Sequence, residues 1–596
     1  MAESDAIDSA QREGAPRLSR REFGARAVAV GASISGIAAL AAACGGGQQG
    51  SGQTAGTGAG GPAVNLSATP EAPGYIPRPA SEIDLPITQP LTKQKVTLRV
   101  FVQQQPTVQD FNTNAFTSWL EDKTNVHVEW IVVPADSAQA TNKLNVMLSS
   151  GDYPDIIFDL VNRSQQLVYG EQGVFIALND LIDKYAPRTK ELYKNYPDAK
   201  TTTTAPNGKI YAMPNVNDCY HCQLPFRMWI YKPWLDKLGL KMPQTTDEFE
   251  QVLLAFKTKD PNGNGKKDVV PLATSTWTAT SGQGLDVYLM NAFLYNPGAP
   301  WLVLNKGKVD VVYTKDQWKE GLKYIRRLYQ QGLIAPESFT QSSDQLKQMG
   351  NHPGDVILGA SPNLWWGSFM TVDEAHGGRW TEYVAVPPLK GPKGVHYAVW
   401  SVYQAVGGGT VITKACKHPE VAVQWIDAMY WREATLRSVQ GVLDKDWRWA
   451  TQDEKGINGQ KAVWFQTNTW GQPWNESWMQ RGPSYRSSFT RLSEAVQAGH
   501  PSYENMLYNE AKDKMWPNRQ PKDNVLPPLF FNQDQANSIS QSEATITQHV
   551  LEMFAKFVRG DVDIDSGWSK YLSDLRGMGL AAYLKSYQDA YNAKHK

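Results

Sequence analysis

The sequence predicts an α/β fold with an open, largely parallel sheet, because strand-like and helix-like segments alternate from residue 96 onward. The runs VTLRVFV, VHVEWIVV and DIIFDL read as strands, and the segments 114–123 and 135–150 between them read as helices. This β-α-β-α-β order is typical of parallel strands joined by crossover helices. Ligands of such sheets bind beyond the carboxyl ends of the strands. Gln104 and Asp159, which stand at two of these ends, are therefore expected at a binding site.

A second unit is predicted to begin near Leu224 with the long strand-like run LPFRMWIY. The sequence TTDE at 245–248 is a capping box, in which the side chains of a Thr and a Glu each bond to a backbone N–H group at a helix start. Apolar residues then recur on one helical face between Phe249 and Phe256. After a nine-residue polar loop, the short β-type run VVPLA follows.

The polar loop, DPNGNGKKD, has the spacing of an EF-hand-type calcium loop. Asp260, Asn262 and Asn264 occupy the first, third and fifth places, and Asp268 occupies the ninth. The twelfth place, where a bidentate Glu is usual, is Pro271. Because a sensor needs a helix on both sides of its loop, the strand that follows here favours a structural cation. A metal-free Asn-Gly turn is the alternative.

The composition bounds the class of ligand. The chain has 596 residues, enough for two or more domains, and Lys+Arg equals Asp+Glu at 59 each. This balance provides no general attraction to nucleic acid, so we expect none as a partner. The chain also has 21 Trp, and 12 of them lie between 365 and 478. Trp rings either fill cores or present the flat faces on which sugar rings stack.

The N-terminus is predicted to be an export signal. Arg20 and Arg21 precede a weakly hydrophobic run at 27–43, the pattern of a Tat-type signal. The run ends in small residues before Cys44, which resembles a bacterial lipobox with its Leu displaced by one position. We predict acylation of Cys44, and a soluble secreted protein is the alternative. A membrane-spanning helix is disfavoured because the run is shorter than the roughly 20 residues a span needs.

The next segment predicts a tether. Residues 45–94 are rich in Gly, Ser, Gln and Pro, which cannot bury enough apolar surface to fold. A lipid at Cys44 followed by a tether predicts a folded body anchored to the outer face of the cytoplasmic membrane. Such a compartment permits disulfides.

Several motifs of the folded body together resemble a known family. They are SGDYPDIIF, LNDLIDKYAP, GKIYAMP, WIYKPWLDKLGL and the DPNGNGKKD loop, with VITKACKHPEVAVQWIDAMYW and GDVDIDSGWSKYLSDLRGMGLAAYLKSYQDAY further along. In these motifs the chain resembles extracellular solute-binding proteins (family 1) of carbohydrate ABC importers, in the lipoprotein and alginate-oligosaccharide-binding branch.

The resemblance implies a two-lobe periplasmic-binding-protein fold of α/β class, with crossing hinge strands and a ligand cleft between the lobes. The crossings are expected near 223–231, 355–360 and 400–406. The expected units are a signal at 1–44, a tether at 45–94, a first lobe at 95–222 plus 355–405, and a second lobe at 223–354 plus 406–596.

The resemblance also implies a function without catalysis. The chain would be a monomeric receptor that captures an oligosaccharide and delivers it to the permease subunits of an ABC importer. Relatives in the alginate-binding branch carry structural calcium in a loop like this one, which implies side-chain ligands at Asp260, Asn262, Asn264 and Asp268 and a backbone carbonyl ligand at Lys266. Where those relatives have a further acidic residue after the ninth place, this chain has Val269.

Candidate ligand-binding residues are aromatic side chains at strand ends or in broken loops, together with polar groups between the lobes. Stacking plus a few aimed polar groups is how sugar pockets gain orientation, and core packing is the alternative for each aromatic residue. The predicted set is Gln104, Asp159, Asp218, Tyr220, Trp277, Trp365, Trp366, Trp400, Tyr403, Trp470 and Trp474.

Two questions stay open at the level of sequence. Cys219 and Cys222 have redox-motif spacing without a helix start beside them, which leaves a disulfide or two thiols. Carboxylates that would cleave a sugar cannot be recognised from sequence spacing, because their separation in space decides the chemistry. A secreted carbohydrate-active enzyme and a receptor for a non-sugar solute such as a peptide are therefore the alternatives.

Overall fold

The structure is a computed structural model that describes residues 82–276, 284–374, 376–468 and 474–594. The predicted signal, Cys44 and most of the tether lie outside the described residues. Within the described part of the chain, no helix has both the length and the apolar character needed to cross a membrane.

The chain alternates strands with helices, as the sequence predicts. The strands are β1 (Val96–Gln103), β2 (Val126–Val133), β3 (Ile156–Ile157), β4 (Ala212–Asn217), β5 (Arg227–Tyr231), β6 (Val270–Leu272), β7 (Leu302–Asn305), β8 (Lys308–Val311), β9 (Leu358–Asn363), β10 (Tyr383–Val386), β11 (Val406–Ile412), β12 (Trp447–Trp449), β13 (Trp464–Gln466) and β14 (Tyr485–Arg486).

The helices are α1 (Ala115–Thr124), α2 (Ser137–Ser150), α3 (Arg163–Glu171), α4 (Asn179–Tyr185), α5 (Pro187–Asn195), α6 (Pro197–Thr203), α7 (Lys232–Lys237), α8 (Thr246–Thr258), α9 (Asp286–Leu289), α10 (Asp316–Gln330), α11 (Ser343–Gly350), α12 (Pro419–Ala428), α13 (Arg432–Gln440), α14 (Ser488–Leu492), α15 (Tyr503–Glu510), α16 (Gln533–Arg559), α17 (Ile564–Gly577) and α18 (Leu580–Lys594). Side chains of Asn114 and Asp136 cap α1 and α2, and both hydrogen bonds of the predicted capping box open α8.

The first lobe is built on a six-stranded sheet in the order β14-β4-β11-β3-β1-β2. Strand β1 pairs in parallel with β2 and β3, as the crossover helices require. Strand β11 runs antiparallel between β3 and β4, and β14 pairs in parallel with β4. The sheet is thus mostly parallel, with one antiparallel strand inserted near its centre.

The second lobe is built on a four-stranded sheet in the order β10-β5-β9-β6. Strand β5 is antiparallel to both neighbours, and β6 is parallel to β9. The C-terminal helices α16, α17 and α18 share one hydrophobic core with α8, α10 and this sheet.

The expected division of the chain between the lobes is wrong after residue 355. Strands β9 and β10 belong to the second sheet, whereas β11 and the helix α12 that follows it belong to the first lobe. The expected crossing at 355–360 therefore leads into β9, a strand within the second lobe. The chain passes between the lobes at 218–226, 400–405 and 487–502, so the expected crossings near 223–231 and 400–406 overlap two of these segments. Strand-like composition is the same in a crossing and in a core strand, so sequence cannot distinguish them.

A buried ionic contact in the first lobe substitutes for a missing helix cap. Helix α5 begins after Ala186 with no side-chain cap of its own. Asp427 of α12 accepts hydrogen bonds from the backbone N–H groups of Arg188 and Thr189, and the Arg188 guanidinium lies 3.2 Å from the same carboxylate. Burial raises the pKa of Asp427, whereas the hydrogen bonds from Thr189 and Arg188 and the Arg188 charge act to lower it, and burial is the larger effect.

Replacing Asp427 should destabilise the first lobe. Asp427→Ala leaves the buried Arg188 charge and two helix N–H groups without their acceptor, and we expect a loss of about 3–5 kcal/mol. Denaturant unfolding followed by Trp fluorescence measures this loss. Asp183→Ala, on the exposed face of neighbouring α4, is the matched control and should change stability by less than about 0.5 kcal/mol. Equal effects of the two variants would contradict the capping role.

Candidate functional site

The first crossing between the lobes contains a disulfide-bonded turn. Cys219 and Cys222 are joined, with their Cα atoms 5.2 Å apart. The buried ring of His221 lies against both sulfurs, with Nε2 at 3.5 and 3.6 Å. These three side chains form a compact group of metal-ligand type, but sulfurs bonded to each other are not thiolate ligands. The turn is a short 3₁₀ segment rather than the start of an α-helix, so it lacks the setting of a catalytic thiol.

A buried ion pair from the third crossing packs against this turn. Arg491 donates to both carboxylate oxygens of Glu504 at 3.1 Å each, and it also lies 3.4 Å from the Cys219 sulfur. His221 Nδ1 lies 3.5 Å from the same carboxylate. The pKa of His221 is well below its usual value because of burial and of Arg227 and Arg491. The imidazole is therefore neutral at physiological pH.

Two further carboxyl groups lie beside this pair. Burial, with smaller repulsion from neighbouring carboxylates, raises the pKa of Glu374 and of Glu494 to about 8. Glu374 accepts a hydrogen bond from the backbone N–H of Tyr503 at 2.8 Å. At neutral pH each group is mostly a neutral carboxylic acid, which can donate as well as accept a hydrogen bond. Such groups suit the hydroxyls of a neutral ligand.

Aromatic rings of the first two crossings pack around Trp516. Tyr220, Trp400 and Trp516 are all buried in the core of the second lobe, so the expected ligand contacts of Tyr220 and Trp400 stay predictions. The Trp516 ring lies 5.6 Å from that of Tyr220 and 5.3 Å from that of Trp400. The Arg519 guanidinium lies over the Trp516 ring at 3.9 Å, a cation–π contact. Trp365 is half-buried and packs against Tyr503 at 5.4 Å.

The rim of the first lobe brings together residues that follow its strands. Asp159 adopts a left-handed backbone conformation and accepts a hydrogen bond from the Gly482 N–H at 2.6 Å. Arg481 contacts the Gln104 carbonyl at 3.5 Å. Half-buried Trp474 pairs through its backbone with the segment after β1, where its N–H donates to the Thr107 carbonyl. Gln104, Asp159 and Trp474 therefore share one edge of the sheet.

Other predicted site residues have internal partners. Trp366 is fully buried between Trp229 and Trp380, and its indole N–H donates to the Tyr383 carbonyl. The geometry of Trp366 is that of a core residue, so its expected place at the cleft is wrong.

Asp218 and Tyr403 lie near the crossings. Asp218 accepts hydrogen bonds from Tyr196 and Gln223, both within the protein. Tyr403 is half-buried, with the Lys522 ammonium 5.4 Å from its ring centroid. Trp277 and Trp470 fall outside the described residues.

The three crossings and the side chains packed against them form the junction between the lobes. The charged residues of this junction were not predicted from the sequence. Glu374, Arg481, Arg491, Glu494 and Glu504 were not among the candidates. Arg491 and Glu504 follow polar loops with no motif around them, and their partners lie on segments remote in the chain. Tyr503 and Trp516 carried a signal of the kind used for other aromatic residues, since both stand in polar, Pro-containing surroundings.

The predicted calcium loop lies in the second lobe between α8 and β6. Asp260 accepts hydrogen bonds from the N–H groups of Gly263 and Gly265, and the amides of Asn262 and Asn264 each donate to one oxygen of Asp268 at 3.0 Å. These bonds lower the pKa of Asp268. In the same loop, the Lys266 N–H donates to the Asn264 side-chain oxygen. This oxygen-rich donor set fits the chemistry of a hard cation.

Comparison with known proteins identifies relatives across most of the chain. A family model described as bacterial extracellular solute-binding protein matches residues 101–435. The fructooligosaccharide ABC transporter substrate-binding protein FusA of Streptococcus pneumoniae is 30% identical over 537 residues, covering 85% of this chain and 92% of FusA.

Solved structures show the same similarity. FusA in complex with kestose superposes with a TM-score of 0.68 and 26% identity, covering 83% of this chain and 99% of that one. An EF-hand mutant of FusA in complex with fructo-nystose gives 0.68 and 27%, with the same coverage. Both matches extend over the two lobes.

The two neutral carboxyls predict an unusual dependence of stability on pH. The folded protein holds Glu374 and Glu494 protonated up to about pH 8, whereas the unfolded chain ionises them near 4.5. The unfolded state then binds fewer protons, so the free energy of unfolding should fall as pH rises through this window. In the double variant Glu374→Gln/Glu494→Gln, the free energy of unfolding should fall less over this pH range.

Thermal melts between pH 5 and 9 measure the effect. The melting temperatures of wild type and double variant should be similar at pH 5, and the variant should be higher at pH 9 by on the order of a few °C. Glu337→Gln, on the surface of the second lobe, controls for loss of an exposed charge. Parallel curves for wild type and double variant would contradict the assignment of raised pKa values.

Proposed function

This chain belongs to the bacterial extracellular solute-binding proteins, and from that premise we propose that it is the substrate-binding receptor of a carbohydrate ABC importer. It captures an oligosaccharide outside the cytoplasmic membrane and delivers it to the permease. The observation that carries the proposal is the junction between the lobes, where the crossings bring together the disulfide-bonded turn, the Arg491–Glu504 ion pair and half-buried Trp365, which packs against Tyr503. A ligand bound there contacts both lobes at once and so favours their closed arrangement.

The chemistry of the junction favours a neutral oligosaccharide. The half-buried ring of Trp365 provides a stacking face, and the uncharged carboxyls of Glu374 and Glu494 suit sugar hydroxyls. FusA, a relative matched over 85% of this chain, is described as a fructooligosaccharide ABC transporter substrate-binding protein, and a solved structure shows it in complex with kestose. Kestose and nystose are thus the first ligands to test.

The receptor acts without altering its ligand. Transport of an intact oligosaccharide needs reversible binding, and the buried Glu504 is held in an ion pair with Arg491 rather than poised as a nucleophile. Prolonged incubation with the bound sugar, followed by chromatography, should return it unshortened. Recovery of cleaved or dehydrated sugar would instead favour the carbohydrate-active enzyme.

Ligand binding should raise the melting temperature and depend on Trp365. A thermal-shift screen over fructooligosaccharides, uronate oligosaccharides and peptides should give a stabilisation for the neutral sugars, because a ligand bound only by the folded state stabilises it. Trp365→Ala should weaken sugar binding roughly 10-fold through loss of ring contact. Trp449→Ala, which removes a half-buried Trp of the β12–β13 hairpin, is the matched control and should leave affinity unchanged. Stabilisation by peptides alone would overturn the sugar assignment.

The receptor is held at the membrane by a lipid on Cys44. The twin arginines, the run of small residues and the following tether support this proposal. A lipidated chain sediments with membranes, whereas Cys44→Ser should appear in the soluble exported fraction, because two acyl chains supply most of the anchoring. Wild type and variant can be compared by fractionation and immunoblot of an expressing bacterium. Identical soluble behaviour of both would contradict the anchor.

The DPNGNGKKD loop binds calcium as a structural support of the second lobe. Asp260, Asn262, Asn264 and Asp268 would hold the ion through side-chain oxygens, and Lys266 through its backbone carbonyl. One solved structure is that of an EF-hand mutant of FusA, which indicates that this relative has a loop of the same kind. The loop joins the end of α8 to the edge strand β6, so the ion would fix a helix end relative to the sheet.

A further inference from the structure

The loop by itself lacks one carboxylate of the EF-hand pattern. Four side chains and the Lys266 carbonyl supply five ligand groups, two of them carboxylates. The pattern adds a bidentate carboxylate at the twelfth place, and here that place is Pro271, while Val269 adds none either. Because charge count tunes calcium affinity, a carboxylate from outside the loop would strengthen the site.

The fold brings one such carboxylate to the loop. Asp355 lies 91 positions further along the chain, and its Oδ2 is 3.2 Å from the side-chain amide nitrogen of Asn264. The neighbouring Val356 carbonyl lies 3.4 Å from the amide nitrogen of Asn262. Both contacts are made with residues assigned as calcium ligands, so the segment 355–356 lies against the ligand-bearing side of the loop.

Strand pairing holds this segment in place. Strand β6 begins directly after the loop and pairs in parallel with β9, with Val270 opposite Leu358. The Val270 N–H donates to the Ile357 carbonyl at 2.7 Å. Because this ladder fixes the register two residues beyond Asp355, the sheet holds the Asp355 backbone beside the loop, and the exposed side chain reaches Asn264 from there.

Two carboxylates meet at the amides of the loop. The amide of Asn262 donates to Asp268, and that of Asn264 donates to Asp268 and Asp355, while Asp260 accepts from the backbone N–H groups of Gly263 and Gly265. Rotation of an Asn amide by 180° exchanges its nitrogen for its oxygen. A cation would then meet amide and carboxylate oxygens in place of the present amide-to-carboxylate bonds.

We propose that Asp355 completes the calcium site by supplying the carboxylate that the twelfth position of the loop lacks. The inference rests on the calcium binding proposed above. It makes the site a joint between three elements, since the ion links the end of α8, the start of β6 and the start of β9. The ligand set is therefore divided between two segments of the chain that only the folded second lobe brings together.

Calcium titration of the exported chain tests the assignment. The protein is stripped with EDTA, returned to calcium-free buffer and titrated with CaCl₂ by calorimetry, with melting temperature measured with and without calcium. Asp355→Asn should weaken calcium binding at least 10-fold and remove most of the calcium-dependent rise in melting temperature. Its melting temperature in EDTA should match wild type, because Asn can still accept the bond from Asn264.

Three further variants make the result decisive. Asp344→Asn, an exposed acid on α11 of the same lobe, removes an equal charge and should retain wild-type affinity. Asp268→Asn should abolish binding, and Asp355→Glu should retain more affinity than Asp355→Asn. If wild type binds no calcium, the calcium proposal itself fails. If wild type binds calcium and Asp355→Asn binds it within 2-fold, the assignment of Asp355 alone is overturned.

Discussion

The insertion of β11 between β3 and β4 is the constraint on which the rest of the molecule depends. Those neighbours are completed before the second lobe begins, so the chain must build that lobe and then return to finish the first sheet. It leaves again after β14 to form the C-terminal helices. Each passage carries polar backbone through a buried junction, where every group needs a partner. The crossings, and the site they form, follow from this one strand order.

The junction contains one buried ion pair and two carboxyl groups that burial keeps uncharged at neutral pH. Arg491 and Glu504 neutralise each other at 3.1 Å beside the disulfide-bonded turn. Burial keeps Glu374 and Glu494 protonated at neutral pH, and the positive charges of Arg491 and Arg486 offset only part of this effect at Glu494. A region that is polar yet close to neutral can exchange water for sugar hydroxyls without a large electrostatic cost. The overall charge balance of the chain agrees with a receptor for a neutral ligand.

Local chemistry explains which features could be predicted. The capping box at 245–248, the strand and helix alternation, and the spacing of oxygens from Asp260 to Asp268 depend on residues a few positions apart. The first predicted crossing overlaps the observed one, since the segment around Gln223 follows a completed strand. By contrast, Trp365 and Trp366 are adjacent where extended backbone at Trp365 gives way to a short 3₁₀ turn that begins at Trp366. Sequence could not say that Trp366 enters the core while Trp365 meets Tyr503.

The sequence by itself determined the family, the class of fold, the export signal as an expectation, and the identity of the loop residues that could hold a cation. Only the tertiary structure decided the membership of β9, β10 and β11, the meeting of Arg491 with Glu504, and the approach of Asp355 to Asn264. The reason is physical. Short-range preferences are set by neighbouring residues. Contacts between remote segments form only when the packing of the whole lobe offsets the conformational entropy lost in bringing those segments together.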